Sequence, residues 1–104
     1  MNPEDEKIIT LARSARARNA AAEGAAVRDE TGRTYVATTV ALPSLSLTAL
    51  QVAVAMAAAS GATDLEAAAV VTTSPEVDVA AARDLGPKAV IILAAPDGTV
   101  SATL

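Results

Sequence analysis

The side chains able to do chemistry in this sequence are few, and most fall in two short stretches. Glu76 and Asp78 stand two apart in SPEVDV, and Ser44, Ser46 and Thr48 alternate in SLSLT. Paired carboxylates could share general acid–base work, and a row of hydroxyls could supply a nucleophile. Each has a plainer reading. Acidic residues favour the positive end of a helix by about 0.3–1 kcal/mol each, and Ser or Thr ahead of a helix caps its open N–H groups. Nothing adjacent activates a hydroxyl, and Lys7 and Lys88 stand in no Ser-x-x-Lys setting. The chain has no cysteine and no histidine. Disulfides, thiolate nucleophiles, imidazole catalysis and the usual zinc ligand sets go with them. No glycine-rich phosphate loop is present, and Thr31-Gly32 and Asp97-Gly98 read as turns.

Arg13, Arg16 and Arg18 form a third candidate. Arg13 and Arg16 share a helix face, Arg28 and Arg33 are expected near them, and six of the eight basic residues precede position 34. Such a patch could meet RNA phosphates through point charges and bidentate bonds. Against it, Tyr35 is the sole aromatic, so base stacking is missing, and Glu4, Asp5, Glu6 and Glu23 nearly cancel the charge. A solvated helix face is the preferred reading, and a net charge of −4 argues against general nucleic-acid binding.

These residues belong to a chain of 104 residues, enough for one domain and one core. Hydrophobic residues make up 52%, so disorder is not expected, but about a quarter of the chain is alanine and Phe and Trp are absent. Burial returns about 25 cal/mol per Å² of apolar surface, so a short alanine-rich core is weak on its own. A homo-oligomer, dimer or tetramer, is therefore expected. The acidic opening is unlike a signal peptide, and no apolar run reaches membrane-helix length, so a soluble cytoplasmic protein away from the membrane is expected.

Stepwise, Asn2 as cap, Pro3 in the first turn and the acids at 4–6 predict a helix over 3–21. Its apolar stripe is Ile8, Leu11, Ala12 and Ala15. GAAVRDETGRTYVATTV reads as a hairpin, with strands Ala25–Asp29 and Thr34–Val40 around a turn at 30–33. Leu42-Pro43-Ser44 breaks the strand and leads into a helix that ends at Ser60-Gly61, with Gly61 as its cap. Strands are expected over 65–73 and 88–95, and a helix from a Ser74 cap to Gly86 lies between them. A turn at Pro96-Asp97-Gly98 leads to a short terminal strand. The order is α-β-β-α-β-α-β-β, an α/β sandwich with a mixed sheet. The second helix carries Leu47, Leu50, Val52, Val54 and Met56 among alanines, with Gln51 its one strong polar residue. Apolarity on all sides predicts burial on two sides.

This order, with these turns, resembles the cytidine deaminase family, most closely from Gly24 to Leu104. Family members place a hairpin before a helix that opens on Cys-Ala-Glu or His-Ala-Glu. A strand then leads to Pro-Cys-x-x-Cys at the next helix head, and a further strand precedes an Asp-Gly turn. Here GAAVRDETGRTYVA, LTALQVAVAMAAASG, SPEVDV and APDGTV occupy those places. The resemblance implies a three-layer α-β-α sandwich around a mixed five-stranded sheet. It also implies where the chemistry would be. The family holds zinc with two thiolates and a Cys or His, and a glutamate that is not a ligand moves the proton. On this chain the triplet falls on Thr48-Ala49-Leu50, so Thr48 takes the first ligand position and Leu50 the proton-shuttle position. Glu76 and Val79 take the two thiolate positions. The ribose-gripping Asn-x-Glu falls on Ala37-Thr38-Thr39, placing Ala37 and Thr39 there. The resemblance therefore implies the framework without its metal, proton shuttle or sugar clamp, so no zinc, no other cofactor and no deaminase activity are expected. The first expectation is a non-catalytic, oligomeric structural or binding protein, its second helix packed on the sheet and on a neighbouring subunit. An RNA- or ribosome-associated module using the arginine face comes second. An enzyme using Glu76 and Asp78 alone comes third.

Overall fold

The computed structural model describes residues 1–104. Its first helix, α1 (Pro3–Asn19), starts as its sequence requires: the Asn2 side chain accepts the Glu4 N–H at 2.7 Å, ahead of an acidic first turn. It stops at Asn19 rather than 21 because Ala20 turns left-handed, with φ 50°. Strands β1 (Gly24–Asp29) and β2 (Thr34–Thr38) form the expected hairpin. Asp29 organises its turn, accepting the Thr31 and Arg33 N–H groups, the Thr31 hydroxyl and the Tyr35 hydroxyl.

Two corrections follow. The predicted strand over 34–40 ends at Thr38, and a second, separate hairpin intervenes, built from β3 (Val40–Leu42) and β4 (Leu45–Leu47). Val40 faces Leu47 and Leu42 faces Leu45 across it, with Pro43-Ser44 at the turn. The alternating Leu45-Ser46-Leu47 thus pairs as strand, and the helix starts only where Thr48 can cap it. Helix α2 (Ala49–Ala59) ends at Ser60, and Gly61 follows in the left-handed region at φ 96°. There the Ala62 N–H bonds the Ala57 carbonyl and the Gly61 N–H bonds the Ala58 carbonyl, which satisfies the helix end.

The second correction concerns the helix predicted from Ser74. After β5 (Leu65–Val71) the chain runs without regular structure through Asp78, and α3 covers only Ala80–Leu85. Local side-chain bonds compete with the helix here. The Ser74 hydroxyl donates to the Glu76 carbonyl at 2.8 Å, and the Asp78 carboxylate accepts the Ala80 N–H at 2.9 Å. Strands β6 (Val90–Ala94) and β7 (Val100–Thr103) complete the chain.

The sheet order is β2-β1-β5-β6-β7, parallel between β5 and β6 and antiparallel elsewhere. Period-two alternation splits each central strand between two cores. Ala67, Ala69 and Val71 of β5 join Ile8, Ile9 and Ala12 of α1, while Ala68 and Val70 join Leu50, Ala53, Val54 and Ala57 of α2. Helix α3 packs on that second face through Ala82. The result is the expected three-layer α-β-α sandwich around a mixed five-stranded sheet, with the extra hairpin standing apart from it. The layers lie close because their residues are small. A Cβ on Gly24 would overlap the Ala12 carbonyl oxygen and lie 3.1 Å from the Arg16 Cβ. No helix is long and apolar enough to cross a membrane.

Candidate functional site

A cleft of about 340 Å³ opens where the head of α2 meets the ends of β2 and β5. Thr39 comes from the link after β2, Ser46 and Leu47 from β4, Thr48 and Gln51 from the first turn of α2, and Thr72 and Ser74 from the loop after β5. Neutral hydroxyls and one amide dominate the lining, and Glu23 is its only charged residue.

The cleft wall is fixed by its own hydrogen bonds. Thr48 and Gln51 form a reciprocal cap: the Gln51 N–H donates to the Thr48 hydroxyl at 3.1 Å, and the Thr48 N–H donates to Gln51 Oε1 at 2.9 Å. Thr72 is 7% exposed, and its hydroxyl accepts the Ser74 N–H at 3.0 Å. The Thr39 hydroxyl accepts the Glu23 N–H at 3.1 Å. Each of these side chains is oriented through its oxygen, so what it presents to a guest is a neutral O–H or N–H. That arrangement can bind and orient a polar molecule. It contains no acid–base pair.

The positions singled out by resemblance do not converge here. Thr39 and Thr48 line the cleft together. Leu50 is 1% exposed and belongs to the core between sheet and α2, and Val79 is half-buried against that same core. Ala37 is buried and borders a different groove, beside Val52 and Met56. Glu76 is exposed in the loop before α3, and with Asp78 it lines none of the major cavities. The Glu76 carboxylate is thus not at a helix start, contrary to the plainer reading of that pair, whereas Asp78 does hold the first N–H of α3. Nowhere do three Asp, Glu, Cys or His side chains gather as a metal-binding group.

The arginines separate as well. Arg13 Nε donates to the Pro96 carbonyl and Arg16 Nε to the Ala22 carbonyl, each at 3.1 Å, so both tie α1 to neighbouring loops. Arg18 is exposed. Arg28, expected beside them, lies instead at the opposite end of α1, with its guanidinium 3.1 Å from Asp5 and 3.3 Å from Glu66.

Three carboxyls are held below their ordinary values, and none lines the cleft. At Asp29 burial pushes the group up, but the bonds from Thr31, Arg33 and Tyr35 together outweigh it. The Thr63 hydroxyl and N–H lower Glu30, and the Thr99 N–H and hydroxyl lower Asp97. Each stabilises a turn or joins two loops. The sequence marked Gln51 only as the one strong polar residue of its helix, with no site role, and gave Thr72 none. The spacing Thr48-x-x-Gln51 was the available signal for the first, whereas nothing local marks Thr72, the buried residue just after β5, as lining a cavity.

Comparison with known proteins agrees with this fold. No curated protein sequence matches the chain. A crystal structure of cytidine deaminase from Burkholderia pseudomallei superposes with a TM-score of 0.78 at 26% identity, over 100% of this chain and 92% of that one. Cytidine deaminase from Mycobacterium leprae superposes with a TM-score of 0.67 at 22% identity, over 92% of this chain and 90% of that one, a likeness of fold. The family model described as cytidine deaminase-like matches residues 1–98, and with that match the chain belongs to the cytidine deaminase-like family.

Proposed function

We propose that this chain is a non-catalytic member of its family, a structural or binding protein that works as an oligomer. What supports the reading is the surroundings of the four residues that the resemblance assigns to the family's reactive positions. The Thr48 hydroxyl is committed to capping α2. Leu50, at the proton-shuttle position, is a core residue, and Val79 packs against the same core. Glu76 alone could ligate, and it lies outside the cleft lining. A hydroxyl, one carboxylate and an isopropyl group do not fit zinc, which takes three or four thiolate, imidazole or carboxylate ligands. At the positions that the resemblance assigns to the amide-and-carboxylate sugar clamp, Ala37 and Thr39 stand instead. What remains is a cleft of neutral donors suited to holding a polar guest.

The test is turnover. Purified protein incubated with cytidine, deoxycytidine or cytosine should release no ammonia above a heat-killed control, and should carry no stoichiometric zinc after preparation in zinc-supplemented medium. Sustained deamination of any of the three would overturn the reading.

A further inference from the structure

Four side chains of the cleft have an oxygen already taken by a backbone N–H and a donor left over. Thr39, Thr48 and Thr72 accept the N–H groups of Glu23, Gln51 and Ser74, and Gln51 Oε1 accepts that of Thr48. The three hydroxyl protons and the Gln51 amide N–H groups meet no acceptor in the protein. For Thr72 this matters most, because it is more than nine-tenths buried and lines the cleft. A buried O–H left unpaired costs free energy, so Thr72 calls for an acceptor from outside the chain. The head of α2 adds two more donors. The first N–H groups of a helix have no partner within it, and the reciprocal cap serves only those of Thr48 and Gln51. The Ala49 and Leu50 N–H groups remain, and helix N–H groups point toward the N-terminus, where the cleft opens. The first turn of α2 carries no acidic residue, whereas that of α1 carries three, so the positive end of α2 is not offset from within its own turn.

We infer that the cleft binds a small carboxylate, a guest of one negative charge whose oxygens accept from Thr72, Gln51 and the head of α2. Unused donors require an acceptor, and the end of α2 favours a negative one. Charge also sets the upper limit. A helix end amounts to about half a unit of positive charge, no Lys or Arg lines the cleft, and Glu23 opposes a second negative charge. A doubly charged phosphate therefore finds too little to balance it. The cleft, about 340 Å³, lies at the small end of ligand sites. The inference rests on the proposed reading of the cleft as a binding site rather than a deaminase centre. Ammonia release would overturn that reading, whereas a titration with carboxylates bears on the guest alone, so the two can fail separately.

An NMR titration of the isotope-labelled full chain tests it, with propionate as the probe. At pH ~8 and matched ionic strength, the amide signals of Ala49, Leu50 and Gln51 should shift and saturate with a Kd of ~10 mM or tighter. Propionamide keeps the carbonyl and loses the charge, and should bind at least ~5-fold more weakly. Propylammonium, and methyl phosphate in its doubly charged form, should leave those signals in place. Gln51→Glu keeps an oxygen for the Thr48 N–H but replaces the free N–H groups with a charge, and should abolish the response. Thr72→Val removes the buried O–H and should weaken binding ~10-fold. Glu23→Gln removes the like charge and should tighten it ~2-fold. Circular dichroism checks that each variant is folded, and if one of Gln51→Glu and Thr72→Val unfolds, the other remains the test. Absence of a saturable shift up to ~50 mM propionate, a Kd too weak for a working site, would refute the inference. So would methyl phosphate or propylammonium binding as tightly as propionate, or a response that a folded Gln51→Glu or Thr72→Val leaves unchanged.

Discussion

Leu50→Glu puts a carboxylate back where a proton shuttle would stand, and the structure predicts that it unfolds the chain instead of arming it. The Leu50 side chain is 1% exposed, packed between the sheet and α2 with Ala53, Val54 and Val70. Removing a fully buried leucine forfeits about 1.5–3 kcal/mol of apolar burial. A glutamate in the same place cannot stay ionised, and holding its pKa about three units above ~4.3 costs a further ~4 kcal/mol at neutral pH. The sum, about 5–7 kcal/mol, rivals the whole stability of a domain, about 5–15 kcal/mol. Leu50→Met keeps the volume and should cost less than about 1.5 kcal/mol. Urea unfolding followed by far-UV circular dichroism measures all three proteins. The pH dependence has a definite sign. The folded-state pKa is raised, so between the unfolded and folded values the native state binds more protons and stability falls as pH rises. Leu50→Glu should therefore recover part of its loss below pH ~4.3, where the carboxyl is protonated in both states. A loss below about 2 kcal/mol at neutral pH, with no recovery in acid, would mean that the side chain reaches water through the cleft, and the core assignment would fail.

Gly24→Ala forces a Cβ into the Ala12 carbonyl, a backbone atom that moves only with α1, so a loss of ~2–3 kcal/mol is expected from overpacking. In a melting experiment that is roughly 10 °C or more for a chain of this size, while Gly32→Ala, with open space around it, costs only the strain of its φ of 86°. Thr48→Ala removes one half of the α2 cap and should cost ~0.5–2 kcal/mol in urea unfolding, with Thr48→Ser close to the parent; equal losses in both would show that the hydroxyl bond is not what matters. Asp29 contributes stability above its unfolded pKa of about 3.8 that is lost as pH falls through its lowered folded value. Asp29→Asn should therefore flatten the acid limb of stability below pH ~4, and an unchanged limb would remove Asp29 from the account.

The sandwich was legible because its signals are local and concordant. Asn2-Pro3 with three acids marks a helix start, Gly61 a helix end, and AAAVV and AVIILA read as strands buried on both faces. What was not legible depended on competition between local bonds. SLSL could be helix or strand by apolar content, and the pairing of Val40 with Leu47 decided it. SPEVDV has the composition of a helix start, yet Ser74 bonds the Glu76 backbone and holds it in a turn. The site was half legible. Thr39 and Thr48, both named from the sequence, line one cleft, while Thr72 and Ser74 reach it only through the parallel pairing of β5 and β6, which no short stretch encodes.

The β3–β4 hairpin is three residue pairs long and shares no backbone bond with the main sheet. A two-stranded ribbon of that size is marginal by itself, and such units open at a small fraction of the free energy that melts the core. Since Ser46 and Leu47 belong to it, the hollow has a stiff floor and a soft lip. A guest larger than its resting shape would need only a few strand contacts to part, on the microsecond scale of hairpin closure, and the sandwich beneath need not respond.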